Sequence, residues 1–201
     1  NKSKKITWYN GQPFCEILDC QNTKKCTDDM PLRLPVQDIY KIDDKRVIVG
    51  RIETGELKLN DELFFLPSNE TVKLKSLEVW PKAKKKYISG DNVGLTIEEH
   101  IFIDKGNLIS HVTSRPKLMN TFEANLFWLS EKKLKINEQY LMKINTGEYN
   151  IFISKVSKVI DTDNLTSKTT NLSPEKNDVC EVVIHSSQLI PMDDFKDNQK
   201  T

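Results

Sequence analysis

"VIVGRIETGELKLNDELFFLP", residues Val47 to Pro67, decides the fold class. Apolar and polar residues alternate through Val47, Val49 and Ile52, a turn is predicted at Glu53-Thr54-Gly55, and the chain re-extends through Leu57 and Leu59. Asn60-Asp61 is a second turn candidate, followed by the apolar run Leu63-Phe64-Phe65-Leu66. Period-two patterning interrupted by Gly and Asn-Asp turns is the signature of a small antiparallel sheet or barrel. The stretch holds no glycine-rich phosphate loop, nucleophile pair or metal-ligand cluster, so its strands are expected to present a surface.

The same pattern continues on both sides. Upstream, "MPLRLPVQDIYKI" opens the first strand, with Pro31 and Pro35 tolerable at a strand start or sheet edge. Downstream, "TVKLKSLEVW" places Val72 and Leu74 on one face but Leu77 and Val79 in the opposite phase, which predicts a β-bulge near Lys75-Ser76. "SGDNVGLTI" and "DKGNLIS" follow as turn-strand pairs, and "HVTSRPKLMN" breaks the pattern near Ser114. A second β unit runs through "TFEANLFWL", "QYLMKI", the Asn145-Thr146-Gly147 hairpin turn and "YNIFISKVSKVI". The polar stretch 161–178 is a long loop, "VCEVVIHS" is the last clear strand, and a charged tail, "PMDDFKDNQKT", follows. Near the N-terminus, Pro13 suits the first turn of a short helix, and Phe14, Ile17 and Leu18 fall on one of its faces. The helix is expected to end near Cys20, and Gln21 to Asp29 reads as a linker. The expected organisation is all-β: residues 1–29 as helix and linker, 30–114 as a first barrel, and 115–201 as a second, incomplete one.

Composition narrows the function classes. The chain has 201 residues, 37% hydrophobic and 29% charged, enough for one or two cores and unlike a disordered or membrane-embedded protein. Thirty basic and 29 acidic residues leave a net charge of +1, too balanced for bulk binding to nucleic acid. The one lysine run, Lys82 and Lys84–Lys86 between Trp80 and Tyr87, reads as a solvated loop. No apolar run approaches a membrane span and the N-terminal residues lack a signal-peptide core, so a cytoplasmic location is expected. Cys15, Cys20, Cys26 and Cys180 have neither paired metal-ligand spacing nor a disulfide-framework pattern, and are expected as reduced thiols, some in the core.

Other constellations give no catalytic or metal site. His100, His111 and His185 are scattered, and Glu98-Glu99-His100 lacks a further ligand at regular spacing. Asp193-Asp194 and Asp161-Thr162-Asp163 lack the glycine and terminal glutamate of a calcium loop. Trp128 reads as core rather than contact.

Several of these segments resemble a known superfamily. "WYNGQPFCEILD" resembles the segment leaving the nucleotide domain of translation-factor-type GTPases, and "MPLRLPVQDIYKI", "VGRIETGELKLNDEL", "SGDNVGL" and "DKGNLIS" resemble their second domain, a β-barrel. "FWLSEKKLKINEQYLMKI", "VIDTDNLTSK" and "NDVCEVVI" look most like the third domain of the sulfate adenylyltransferase GTPase subunit, with elongation factor one-alpha next. Trp128, Leu129, Glu131 and Leu134 carry that likeness, while Lys133 stands where that family usually has proline. The resemblance implies a parent protein whose GTP and magnesium are held in an N-terminal domain outside this chain, which has no G-x-x-x-x-G-K-[ST] element and no Asn-Lys-x-Asp element. It further implies docking barrels for a catalytic adenylyltransferase subunit. The alternative is the barrels of an elongation or ribosome-rescue factor, holding tRNA or a tRNA-like partner.

Two expectations concern surfaces. Arg51, Glu53, Thr54 and Gly55 are the candidate partner-binding residues, on the reasoning that a hairpin exposes its tip and a glycine there admits another backbone. In the superfamily, further apolar strands follow the segment like "FKDNQKT" and close the third domain. An unclosed barrel exposes strand edges, which are expected to be covered by a second copy or by the tail folding back.

Overall fold

In the computed structural model, which describes residues 8–21, 27–79, 85–162, 166–169 and 172–201, the alternation around Val47 builds a closed barrel. Its strands are β1 (Leu34–Ile42), β2 (Lys45–Arg51), β4 (Glu62–Leu66), β5 (Glu70–Glu78), β7 (Asn92–Ile97) and β8 (Leu108–His111). They run antiparallel in the ring order β1-β2-β7-β5-β4-β8, while β3 (Glu56–Lys58) and β6 (Lys86–Ile88) pair with each other as a separate ribbon. The bulge falls where the phase change predicts it: Leu74 pairs with Ile97, and the next partners are Ser76 and Thr96. A bulge bends its strand and increases the local twist, and this helps a sheet curl until its edges meet.

Closure gives the barrel a dry interior. Leu34, Ile48, Leu63, Phe65, Leu74 and Leu95 are fully buried and belong to one cluster. Each such side chain contributes about 1.5–3 kcal/mol relative to leaving it in water. The run Leu63-Phe64-Phe65-Leu66 is buried throughout, so β4 is covered on both faces. Part of the outer cover is Arg115, whose guanidinium lies 3.9 Å above the Phe64 ring.

One local expectation is corrected. Glu53-Thr54-Gly55 does not close a hairpin, because β2 pairs with β1 and β7 whereas β3 pairs with β6. The chain leaves the barrel wall after Arg51 and crosses to the ribbon, and Thr54 bridges back to Arg33 on the way. Alternation marks extended chain but does not say which strand lies beside which, and here the neighbours come from distant sequence.

The second unit is an open sheet. Strands β10 (Gln139–Ile144), β11 (Gly147–Asp161), β13 (Val179–Met192) and β9 (Lys117–Phe127) lie in that order, with β12 (Thr166–Lys168) paired to β11. The hairpin between β10 and β11 forms as expected: Ile144 pairs with Gly147, and Asn145 sits at φ 52°. Strands β9 and β10 are the edges, so this unit is an incomplete barrel among the described residues. Trp128 packs on its core, edge-on to Tyr140 and donating Nε1–H to the Lys132 carbonyl at 2.7 Å. Cys180 lies fully buried in the same core.

Helix α1 (Phe14–Asp19) has Pro13 at its N-cap position, one residue before the first turn and without a side-chain capping bond, and Cys20 at its C-cap. Its apolar face is exposed, with Phe14 at 72% and Leu18 at 53%. Cys26, most of the linker and residues 80–84 of the lysine-rich stretch lie outside the described residues. Within that stretch, Lys86 pairs with Glu56 across the β3–β6 ribbon.

Candidate docking junction between the two β units

Arg33 precedes β1, between Leu32 and Leu34, which point into the barrel and are buried. Alternation turns the arginine the other way, yet it is only 3% exposed. A buried charge is costly unless paired and hydrogen-bonded. The tail of the second unit supplies the partner: Arg33 Nε donates to Asp193 Oδ2 at 2.7 Å and Nη2 to Oδ1 at 2.8 Å. Nη1 donates to the carbonyls of Leu32 and Ser114, each at 2.8 Å. This planar, two-toothed geometry is what a guanidinium offers a carboxylate and an ammonium does not.

The rest of the tail completes the network. Asp193 Oδ2 also accepts from Thr201 Oγ1 at 2.7 Å and Asn198 Nδ2 at 3.1 Å. Burial alone would raise the Asp193 carboxyl, but hydrogen bonds from Arg33 and Thr201 outweigh it and hold the group below the usual carboxylate range. Lys200 Nζ donates to the Glu53 carbonyl at 2.7 Å and to Ser89 Oγ at 3.2 Å. A second contact lies elsewhere, where Thr146 Oγ1 in the β10–β11 turn donates to the Val36 carbonyl at 2.7 Å. There Gly106, at φ +94°, approaches so closely that a Cβ would stand 2.9 Å from Gly147 Cα.

The four candidate partner residues divide at this junction. Thr54 and Gly55 are buried and Glu53 is half-buried, its carbonyl occupied by Lys200; Arg51 is exposed. The expected exposed hairpin tip is therefore absent. Gly55 does admit another backbone, as the sequence predicts, but the backbone is the chain's own: at φ +79° a Cβ would meet Leu32 Cα and N at 2.6 Å. The tail folds back, as one of the two expectations has it, but onto the barrel and not along the sheet edges. The Arg33 charge, buried at the barrel's edge and paired by Asp193 of the tail, explains where it goes.

Between the tail and the inner face of the open sheet lies a groove of about 1030 Å³, with Met119, Phe122, Met142, Ile144, Met192 and Phe195 among its lining residues. The histidines stand apart. His111 contacts Asp61 at 3.1 Å, His185 contacts Thr121 at 2.7 Å and leans on Phe152, and His100 is exposed. Among the described residues no group of three or more His, Cys, Asp or Glu is placed to hold a metal, and no helix is long and apolar enough to cross a membrane. Cys180 is no candidate nucleophile: burial, helped by the Asp178 charge, pushes its thiol up to about 11. Among the described residues, the polar groups of the junction are engaged with one another across the two units.

A closed barrel followed by a curled sheet, joined by a polar junction, is the architecture of domains II and III of translation-factor-type GTPases, and the chain resembles those domains along its length. Residues 121–201 match the GTP-eEF1A C-terminal domain-like family. Across all of this chain, sulfate adenylyltransferase subunit 1 of Saccharophagus degradans is 27% identical, and the match covers 43% of that relative. Elongation factor 1-alpha of Metallosphaera sedula is 30% identical over 62% of this chain and 29% of its own length. The crystal structure of Sup35 complexed with GDP superposes with a TM-score of 0.78 at 22% identity, over 96% of this chain and 48% of that one. The chain thus spans less than half the length of these relatives.

Arg33, Asn198 and Thr201 are missed by sequence reasoning, and Asp193 is weighed only as a calcium ligand. Positions 33 and 193 are 160 residues apart, and no local pattern says that they meet.

Proposed function

We propose that this chain is the partner-docking part of a sulfate adenylyltransferase GTPase subunit, with residues 30–114 and 115–201 as its two docking units. The observation that carries this reading is coverage: similarity to subunit 1 extends over 100% of the chain, whereas the elongation factor match extends over 62%. In such a parent, GTP and magnesium are bound by a nucleotide domain N-terminal to these units, in the cytoplasm. GTP hydrolysis there drives adenylyl transfer from ATP to sulfate in a separate catalytic subunit. This chain supplies no catalytic residue. Its part is to hold two surfaces at a fixed relation, which the Arg33–Asp193 junction supports. Edge strands β9 and β10 also offer strand addition to a second copy.

The test is calorimetric titration of the chain with the catalytic adenylyltransferase subunit. Saturable binding is expected, weaker than for a full-length parent because contact area is lost with the nucleotide domain. Arg51→Glu, reversing the exposed charge next to the junction, is expected to weaken it. No binding to that subunit, with salt-sensitive binding to tRNA instead, would overturn the reading in favour of a translation or rescue factor.

A further inference from the structure

Phe102 is 93% exposed, more than any other large hydrophobic residue among those described. It lies in the loop between β7 and β8, flanked by Ile103, which is buried in the barrel cluster, and Ile101, which packs against it. Inward isoleucines on both sides turn residue 102 outward by simple alternation, and a polar residue would satisfy that position at no cost. A single exposed apolar side chain needs no explanation by itself. Two further observations set this one apart.

The first is how firmly it is held. Arg46, on β2, donates Nη1 to the Ile101 carbonyl at 2.5 Å and Nη2 to the Ile103 carbonyl at 3.1 Å. One planar guanidinium thus holds the carbonyls of the residues before and after Phe102. The loop is tied at its ends as well: Glu99 accepts from the Lys73 backbone N–H, and the Gly106 N–H reaches the Val36 carbonyl at 3.1 Å. A side chain projected from such a backbone loses little conformational freedom on docking. The second is charge. In residues 98–105 the exposed carboxylates of Glu98, Glu99 and Asp104 outnumber the one exposed cation, Lys105, while the Arg46 guanidinium is turned to the loop's own carbonyls. Three carboxylates repel a phosphate backbone and favour a cationic protein surface.

We propose that Phe102 is a pre-organised anchor that seats in an apolar, basic-rimmed socket on the catalytic adenylyltransferase subunit. The assignment rests on the docking function proposed above. The experiment is titration of that subunit with the wild-type chain, Phe102→Ala, Phe102→Leu, Arg46→Gln and, as control, Leu18→Ala, an exposed residue of helix α1 outside both docking units. Phe102→Ala is expected to weaken binding by on the order of tenfold or more, as loss of a hot-spot aromatic does, with an unchanged melting temperature. Phe102→Leu should recover part of the loss, Arg46→Gln should weaken binding by freeing the loop, and Leu18→Ala should match wild type. Wild-type binding with an equal affinity for Phe102→Ala overturns the anchor and leaves the docking function standing. Absence of wild-type binding overturns both. A Phe102→Ala defect in binding tRNA, with none toward the subunit, overturns the protein socket.

Discussion

The two β units carry the same alternation to different ends. In the first, the sheet closes and Leu34, Leu63, Phe65, Leu74 and Leu95 lose all contact with water. In the second, it stays open, and Phe122, Ala124 and Met142, on the inner face of its two edge strands, remain half-buried around a groove. The alternating pattern therefore sets which face is apolar but not how dry that face becomes. A closed barrel carries its own stability, whereas an open sheet leans on whatever covers it. Here part of that cover is the tail, pinned to the barrel by Arg33.

Substitutions in the two cores should separate these regimes most clearly. Phe65→Ala removes a fully buried ring from the barrel and is expected to cost about 3–5 kcal/mol. Phe122→Ala, on the half-covered inner face, should cost less than half of that. Urea midpoints of the two variants check it; equal losses would mean that the second core is as dry as the first.

Breaking the junction is next in size. Arg33→Ala leaves the Asp193 carboxylate without its cation and the Leu32 and Ser114 carbonyls without their donor, and is expected to cost about 3 kcal/mol. It should also split one melting transition into two, with the open sheet melting first. Acid acts on the same pair. Because the folded Asp193 carboxyl titrates below its ordinary value, its contribution is complete above about pH 4 and is lost as pH falls through the lower, folded value. A melting temperature that declines equally in wild type and Asp193→Asn over that range would remove this residue from the acid response.

The smallest effect is local. Backbone amides of β10, at the sheet edge, should exchange faster than those of β2, which is paired on both sides in the barrel. The Cys180 thiol should stay unmodified by a thiol reagent that labels exposed Cys15 and Cys20. Mass spectrometry after brief exposure reads both.

Much of the fold is legible along the chain because its signals are local. The phase change between Leu74 and Leu77 announces the bulge, Asn145-Thr146 the hairpin, and Pro13 the helix start. The turn at Glu53–Gly55 is misread because pairing is not local: the residues after Gly55 find their partner in Lys86–Ile88, some thirty positions on. The same limit hides the junction. Nothing within a few positions marks the arginine in "LRLP" as buried or assigns Asp193 to it.

By itself, then, the sequence determined the all-β class, the order and phase of the strands, and the absence of a phosphate loop, since each depends on residues within a few positions of one another. Only the tertiary structure decided that the first sheet closes while the second stays open, that Thr54 meets the chain's own tail and Gly55 the Leu32 backbone, and that Arg46 holds Phe102 out into water. Those outcomes depend on which distant backbone donors, acceptors and charges find each other. A buried guanidinium must meet a carboxylate wherever the chain can bring one, and that choice is made in three dimensions.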